Sequence, residues 1–492
     1  MEDFNFYLNR IGEIGFVKKV VPPIIYAEGL PGATPEEVVL TESGEISTVT
    51  AIREDAVELL SFSRTPLRVG TRLARSAARF EIPLGPELLG SIIDPLGHSL
   101  DPSHPLPLRG ERRPVDIVPS GIQSRARIRR PCETGSTAID LMIPLGKGQR
   151  ELVIGDQKTG KSRFLLRSLL TQVRQGAIGV YAAIGKPQIT VKQVEGFLRE
   201  NKIFEKAVMV VSESDDPASL AYLTPYVAMT IAEYFRDAGN DVFLVLDDLS
   251  LHAKAYREIS LLGRRYPGRN SYPGDIFYAH ARLLERAGNF KHARGERAIT
   301  CLPVIETVEG DLTGYIQTNL MSMTDGHLFF DHRLFVEGRR PAVDPFLSVT
   351  RVGHQVQSAL KLEIGRALIS FLREANALHN FASFGAELGE HVRKIFAKEE
   401  RVMQFLDQTV YDSLASNLQL LLFGMAWGDM WENMSSLEMR STIQKNVFLH
   451  ETNRDFRNRV EQVIGGANSL PALLERVRDF GVSVSPVEAK PR

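Results

Sequence analysis

The spacing of apolar positions changes twice along the chain. From about residue 12 to 90, short apolar runs are interrupted by turn-forming segments such as LPGATP (30–35) and ESGE (42–45). VVPPIIYAEG, EEVVL and EISTVTAI have strand length and strand composition, which predicts a small β-domain over residues 1–90. A Pro-rich connection, LDPSHPLPLRGERRP (100–114), follows. From about 130 to 350, strand-length apolar runs alternate with amphipathic helical stretches. The runs include ELVIG (151–155), GVYAAIG (179–185), AVMVVS (207–212), DVFLVLDD (241–248) and ITCLPVIE (299–306). That alternation predicts a parallel sheet wrapped by helices, in a central α/β domain over 91–352. After residue 353 proline is scarce and leucines recur at helical spacing, as in QSALKLEIGRALISFLREANAL, so 353–492 is expected to be a helical domain. LQLLLFGMAWG (418–428) is too short to span a bilayer and is expected to be a buried helix. No internal repeat is visible, and the PVEAKPR tail is expected to fray.

Composition narrows the class. A length of 492 residues implies two to four domains. Fifty-nine basic residues against sixty acidic ones argue against a surface built for nucleic acid or anionic lipid. The two cysteines, Cys132 and Cys301, lack metal-ligand spacing and are expected to be buried, reduced thiols of a cytosolic type of compartment. MEDFNFYLNRIGEIGF shows no basic-then-apolar signal pattern.

The chemistry sits at GDQKTGKS (155–162), a Gly-x4-Gly-Lys-Ser phosphate loop that follows the ELVIG strand and opens a helix. A chance match in a chain this long has a probability of about 2%. In SRFLLRSLLTQV, Leu166, Leu169 or Leu170, and Val173 fall on one helix face. Gly155 and Gly160 let backbone N–H groups approach phosphates, and the helix start favours negative charge. Asp156, Gln157, Lys158 and Thr159 complete the loop, Lys161 is expected on the terminal phosphates, and Ser162 offers a hydroxyl to Mg²⁺. About 85 residues on, DVFLVLDD ends in Asp247 and Asp248, which are expected to support the magnesium shell. Hydrolysis needs a carboxylate to polarise water, and in ATPases of this build it often follows the strand next to the phosphate loop. Here GVYAAIG is followed by Lys186, Pro187 and Gln188. A protonated lysine accepts no proton, so the chain is expected to bind Mg-nucleotide without an obvious catalytic acid, with the Lys186 ammonium facing the terminal phosphate.

Several longer stretches carry a specific resemblance: PLGPELLGSIIDPLG (83–97), STAIDLMIPLGKGQRELVIGDQKTGKS (136–162), VLDDLSLHAKAYREISLLGRRYPGR (245–269), YPGDIFYAHARLLERA (272–287), LPVIETVEGDLTGYIQTNLMSMTDG (302–326) and RRPAVDPFLSVTRVG (339–353). Across nearly everything from residue 12 onward, the chain resembles the alpha subunits of rotary F-type ATP synthases. These are the non-catalytic members of an alternating alpha/beta hexamer. The resemblance implies an N-terminal β-barrel, a central nucleotide-binding domain and a C-terminal helical domain around a gamma-type shaft. It implies ATP or ADP with Mg²⁺ as cofactors, and beta-type and gamma-type subunits as partners. The membrane would be reached only through the complex, with the chain cytoplasmic and peripheral. By residue, it implies that Gly160, Lys161, Ser162 and Arg163 line the phosphates, that Asp247 supports Mg²⁺, and that Arg340 and Pro341 flank the adenine near Gln408. Arg351, in SVTRVG, matches the arginine that reaches into the neighbouring beta catalytic site. Lys186 stands where the alpha family usually has glutamine and the beta family glutamate.

Four features depart from the family pattern. Gln157-Lys158 replaces arginine-glutamine, Val410 stands at a second adenine-contacting glutamine, and His354 replaces a glycine beside Arg351. About a dozen residues precede the barrel, so a conventional stator contact there is not expected. Three rival readings are weighed, one of them a free-standing nucleotide-binding regulator, which fits the motifs but not an arginine poised for a neighbour. A catalytic homohexameric secretion-type ATPase would carry a glutamate where Lys186 stands. A hexameric RNA translocase would have a basic N-terminal domain, whereas residues 12–85 hold eight Lys or Arg against ten Asp or Glu.

Overall fold

The computed structural model describes residues 3–101, 106, 110–382, 389–408 and 413–483. Val410, the PVEAKPR tail and parts of the 100–114 connection lie outside the described residues.

A short helix, α1 (Phe4–Ile11), capped by the Asp3 carboxylate, precedes six antiparallel strands: β1 (Ile14–Val21), β2 (Ile24–Glu28), β3 (Glu37–Thr41), β4 (Ile46–Ile52), β5 (Val57–Ser61) and β6 (Arg72–Arg79). They close into a barrel in the order β1-β2-β5-β4-β3-β6, with Ile14 paired to Ala74 at the seam. Closure removes the sheet edges that would otherwise invite pairing with other chains. Val17, Ile25, Val39, Val49, Leu59 and Leu73 fill the interior. The buried Arg75 guanidinium is held by Glu37 at 2.9 Å and Glu13 at 2.8 Å, which satisfies the charge that burial would otherwise strand.

The central sheet is built from β7 (Ser91–Ile93), β8 (Glu151–Gly155), β9 (Ile178–Lys186), β10 (Ala207–Glu213), β11 (Val242–Asp247), β12 (Gly295–Glu306), β13 (Gly326–Phe330) and β14 (Val349–Thr350). Their order is β14-β13-β8-β12-β11-β9-β10-β7, parallel except for β14, and residues 288–292 add a short antiparallel pairing onto β12. The inner strands are buried on both faces, which is why they read as continuous apolar runs and not as alternation. Helices α2 (Lys161–Arg174), α3 (Ala218–Asp237) and α4 (Leu249–Leu262) pack against them. On α2 both Phe164 and Leu165 are buried with Leu169, Leu170 and Val173, while Leu166 is only half-buried, so the predicted single face is broader and turned. Cys132 and Cys301 are buried free thiols.

From residue 359 the described chain is helical: α5 (Ala359–Ala382), α6 (Glu390–Leu406), α7 (Ser416–Trp427), α8 (Ser436–Thr452), α9 (Arg454–Gly465) and α10 (Leu470–Ser483). Helix α7 is buried from Leu418 to Ala426 and packs against α6, α9 and α10, so its all-round apolar character marks the centre of the bundle. Among the described residues, no helix is long and apolar enough to cross a membrane.

Candidate functional site

The loop 156–160 joins β8 to α2 at the carboxyl edge of the sheet, where open α/β sheets place their ligands. A side chain on Gly155 would overlap the Phe330 carbonyl, and Gly160 has φ of 92°, so both positions require glycine. The loop is braced from outside. Asp156 accepts from the Thr307 hydroxyl at 2.5 Å and from the Gly310 amide at 3.0 Å, and the Thr159 hydroxyl donates to the Asp156 carbonyl at 2.8 Å. Lys161 curls back, its Nζ donating to the carbonyls of Gly155 at 2.7 Å and Asp156 at 2.6 Å. Burial lowers the Lys161 pKa below the ordinary lysine value, against the opposing pull of Glu306, Asp248 and Asp247. Ser162 and Arg163 are exposed in the first turn of α2, and Lys158 is exposed at a positive φ of 61°.

Thr159, Gly160 and Arg163 share one cleft with Arg340, Pro341 and Gln408. The sequence-predicted phosphate and adenine residues therefore meet, although almost 250 positions separate the loop from Gln408. Arg340 is fixed by its Nη1 donating to the Phe335 carbonyl at 2.8 Å and by stacking over the Phe335 ring at 3.6 Å. Gln408 is buried; its backbone N–H donates to the Arg340 carbonyl at 2.7 Å, and its side-chain oxygen accepts from the Thr137 amide at 2.7 Å.

The carboxylates lie two strands away from the loop strand, on β11. Residues Ala183 and Asp247 are in register across β9 and β11, so Lys186 extends past the strand ends beside the acidic pair. Its Nζ lies 2.8 Å from Asp247 Oδ1 and 2.9 Å from Asp248 Oδ2. The Tyr181 hydroxyl donates to Asp247 Oδ2 at 2.6 Å, and Asp248 Oδ1 caps α4 by accepting from the Leu251 amide at 2.9 Å. Burial alone would depress the Lys186 pKa, but Asp247 and Asp248 together raise it above the ordinary lysine value. The ammonium is paired with both carboxylates in an ion cluster. The donor set departs from that of a dedicated divalent-cation site: of the two residues expected to hold magnesium, Asp247 is already paired with Lys186 and only Ser162 stands outside the cluster.

Two groups were missed by sequence reasoning. Tyr181 reaches Asp247 only through the β9–β11 register, for which the sequence has no signal. Glu306 ends β12, the strand that is next to the loop strand in space, in register with Gly155, and accepts from Gln157 Nε2 at 2.8 Å. The strand carrying Lys186 is next in chain order but three places from the loop strand in the sheet, with its end at the same carboxyl edge.

Arg351 is exposed and follows the edge strand β14, its Nη1 donating to the Thr324 carbonyl at 3.1 Å. Thr350 pairs with Gly326, which pairs with Glu151, whereas the phosphate loop begins at Gly155. Four residues of strand, about 13 Å at about 3.3 Å each, separate Arg351's level from the loop.

The description "ATP synthase alpha/beta family, nucleotide-binding domain" matches residues 135–350. The chain is 36% identical over 476 residues to ATP synthase subunit alpha of Neorickettsia sennetsu, covering 94% of this chain and 93% of that protein. It is 38% identical over 410 residues to ATP synthase subunit alpha 2 of Nitrosospira multiformis, covering 83% and 80%. To ATP synthase subunit alpha of Aquifex aeolicus it is 37% identical over 414 residues, covering 84% and 82%. With the barrel, the parallel sheet, the helical bundle and the phosphate loop all in place, the chain belongs to the alpha-subunit family of F-type ATP synthases.

Proposed function

We propose that this chain holds ATP or ADP without hydrolysing it, as the alpha-type member of an alternating hexamer with beta-type subunits around a gamma-type shaft. Arg351 is its contribution to the neighbouring beta-type catalytic site. The observation that carries the non-catalytic reading is the Lys186 ammonium bound to both Asp247 and Asp248. An ammonium accepts no proton, and the carboxylates it neutralises are poor bases for water. Glu306, in register with Gly155 on the strand beside the loop strand, is engaged by the Gln157 amide.

In this role Gly155 through Arg163 cradle the phosphates with backbone N–H groups and the Lys161 ammonium, and Arg340, Pro341 and Gln408 border the base. A divalent cation, when bound, would neutralise phosphate charge. It would arrive on the nucleotide and meet the Ser162 hydroxyl, and Asp247 would become available to it only if Lys186 moved. Arg351 stands on the far side of the strand from its own loop, which supports a partner across the subunit boundary. The chain reaches the membrane through the complex, on its cytoplasmic face, and no nucleic acid is involved.

The test is ATP binding and turnover by the rigorously purified chain. Binding with negligible hydrolysis is expected. Robust turnover that disappears in Lys161→Ala or Glu306→Gln would defeat the non-catalytic assignment.

A further inference from the structure

We propose that the Lys186 ammonium is the resident cation of this nucleotide site, standing at the Asp247–Asp248 carboxylates in place of a divalent ion, so that ATP or ADP is held with little dependence on divalent metal. The inference rests on the nucleotide-holding role proposed above.

Each oxygen of the acidic pair has a protein donor. Lys186 takes Asp247 Oδ1 and Asp248 Oδ2, Tyr181 takes Asp247 Oδ2, and the Leu251 amide takes Asp248 Oδ1. Asp247 is 4% exposed and Asp248 1%, so this pair has little water to fall back on. Two buried carboxylates need a counter-charge, and the chain supplies one from its own adjacent strand. Magnesium dehydrates reluctantly and is drawn to sites by carboxylate charge. Here one of the two carboxylate charges is balanced by a tethered ammonium that bonds both residues and competes at a high effective concentration, because β9 and β11 are hydrogen-bonded neighbours. For a metal to reach Asp247, Lys186 would have to abandon two ion pairs or share the carboxylate with a like charge. Lys161, held at the loop by the Gly155 and Asp156 carbonyls, is the ammonium the nucleotide's phosphates would meet there, with or without metal.

Calorimetric titration of the full chain with ATP, in saturating Mg²⁺ or in excess EDTA, tests this without any activity assay. The wild-type affinities should agree within about threefold. Lys186→Gln should bind well with Mg²⁺ and lose about tenfold or more in EDTA, whereas Lys186→Arg should keep the metal-independent behaviour. Mn²⁺ titrated without nucleotide and followed by paramagnetic resonance should find a site in Lys186→Gln and none in the wild type. If Lys186→Gln fails to fold, the wild-type comparison and Lys186→Arg decide the matter. A wild-type loss in EDTA larger than about threefold, or Mn²⁺ binding by the wild type, overturns the resident-cation role while leaving nucleotide binding intact. Absence of ATP binding under both conditions overturns the nucleotide reading itself, and this inference with it.

Discussion

Lys161 fastens its own loop from within. Its two hydrogen bonds to the Gly155 and Asp156 carbonyls hold the ammonium where phosphate oxygens would draw it off, and burial already weakens its preference for the charged form. Phosphate would therefore gain a desolvated, charge-assisted donor, each such bond being worth about 1.5–3 kcal/mol. Lys161→Ala is expected to weaken ATP binding by about 10- to 100-fold, measured by calorimetry, because one such bond vanishes. The fold should survive, since the loop keeps its Thr307, Gly310 and Thr159 braces. Lys161 and Ser162 were legible from spacing alone, because a phosphate loop is a local backbone device. The fate of Lys186 was not legible, because its partners are set by strand register.

Among the elements, α4 and the neighbouring helix Ile276–Leu284 are joined by a buried histidine pair, His252 Nδ1 and His280 Nε2 lying 3.2 Å apart. Burial, with His280 adding to it, holds His252 well below the ordinary histidine value, and burial brings His280 down to about 4. Both are therefore neutral in the folded protein where the unfolded chain, at about 6.5, takes up protons. The unfolded state binds more protons below that value, so stability is complete above about pH 6.5 and falls as pH drops toward 4. The slope should approach about 1.4 kcal/mol per pH unit for each histidine. Urea unfolding midpoints at neutral and mildly acidic pH check this, and His280→Gln should flatten the dependence. In the helical bundle, Phe423 at the centre of α7 is fully buried while Phe448 on α8 is 63% exposed. Phe423→Ala is expected to cost about 3–5 kcal/mol, by urea midpoint, with little change for Phe448→Ala. An unchanged midpoint in Phe423→Ala would show that α7 is not the bundle's core.

For the whole molecule, the position of Arg351 matters more than its local contacts. Its guanidinium donates to the Thr324 carbonyl and its backbone amide to the Asp325 carbonyl, at the end of the sheet remote from its own phosphate loop. A guanidinium keeps its charge at any working pH and offers paired planar donors to phosphate oxygens. Supplied in trans, such a group is worth about 10³–10⁵ in rate in related phosphoryl transfers. Arg351→Ala should leave folding, nucleotide binding by this chain and assembly with a beta-type partner unchanged, yet slow hydrolysis by the reconstituted complex severely. Arg351→Lys should rescue poorly, since an ammonium keeps the charge but not the fork. Near-normal turnover in the Arg351→Ala complex, with nucleotide occupancy measured alongside, would leave Arg351 a structural edge residue.

By itself the sequence determined the element types, the phosphate loop and the family, because each is encoded in short-range spacing. Apolar runs such as ELVIG and AVMVVS mark strands wherever they pair, and glycines at 155 and 160 mark a close backbone approach. VELLS, RLARSAAR and GHLFF, which became β5, β6 and β13, were not singled out, since a short strand has little signal until its partners are known. Only the tertiary structure decided which strand neighbours the loop strand, and hence that Glu306 and not residue 186 stands beside it. It also decided that Lys186 pairs with Asp247 and Asp248. The pairings that decided both join residues more than sixty positions apart, and no local pattern of side chains records them.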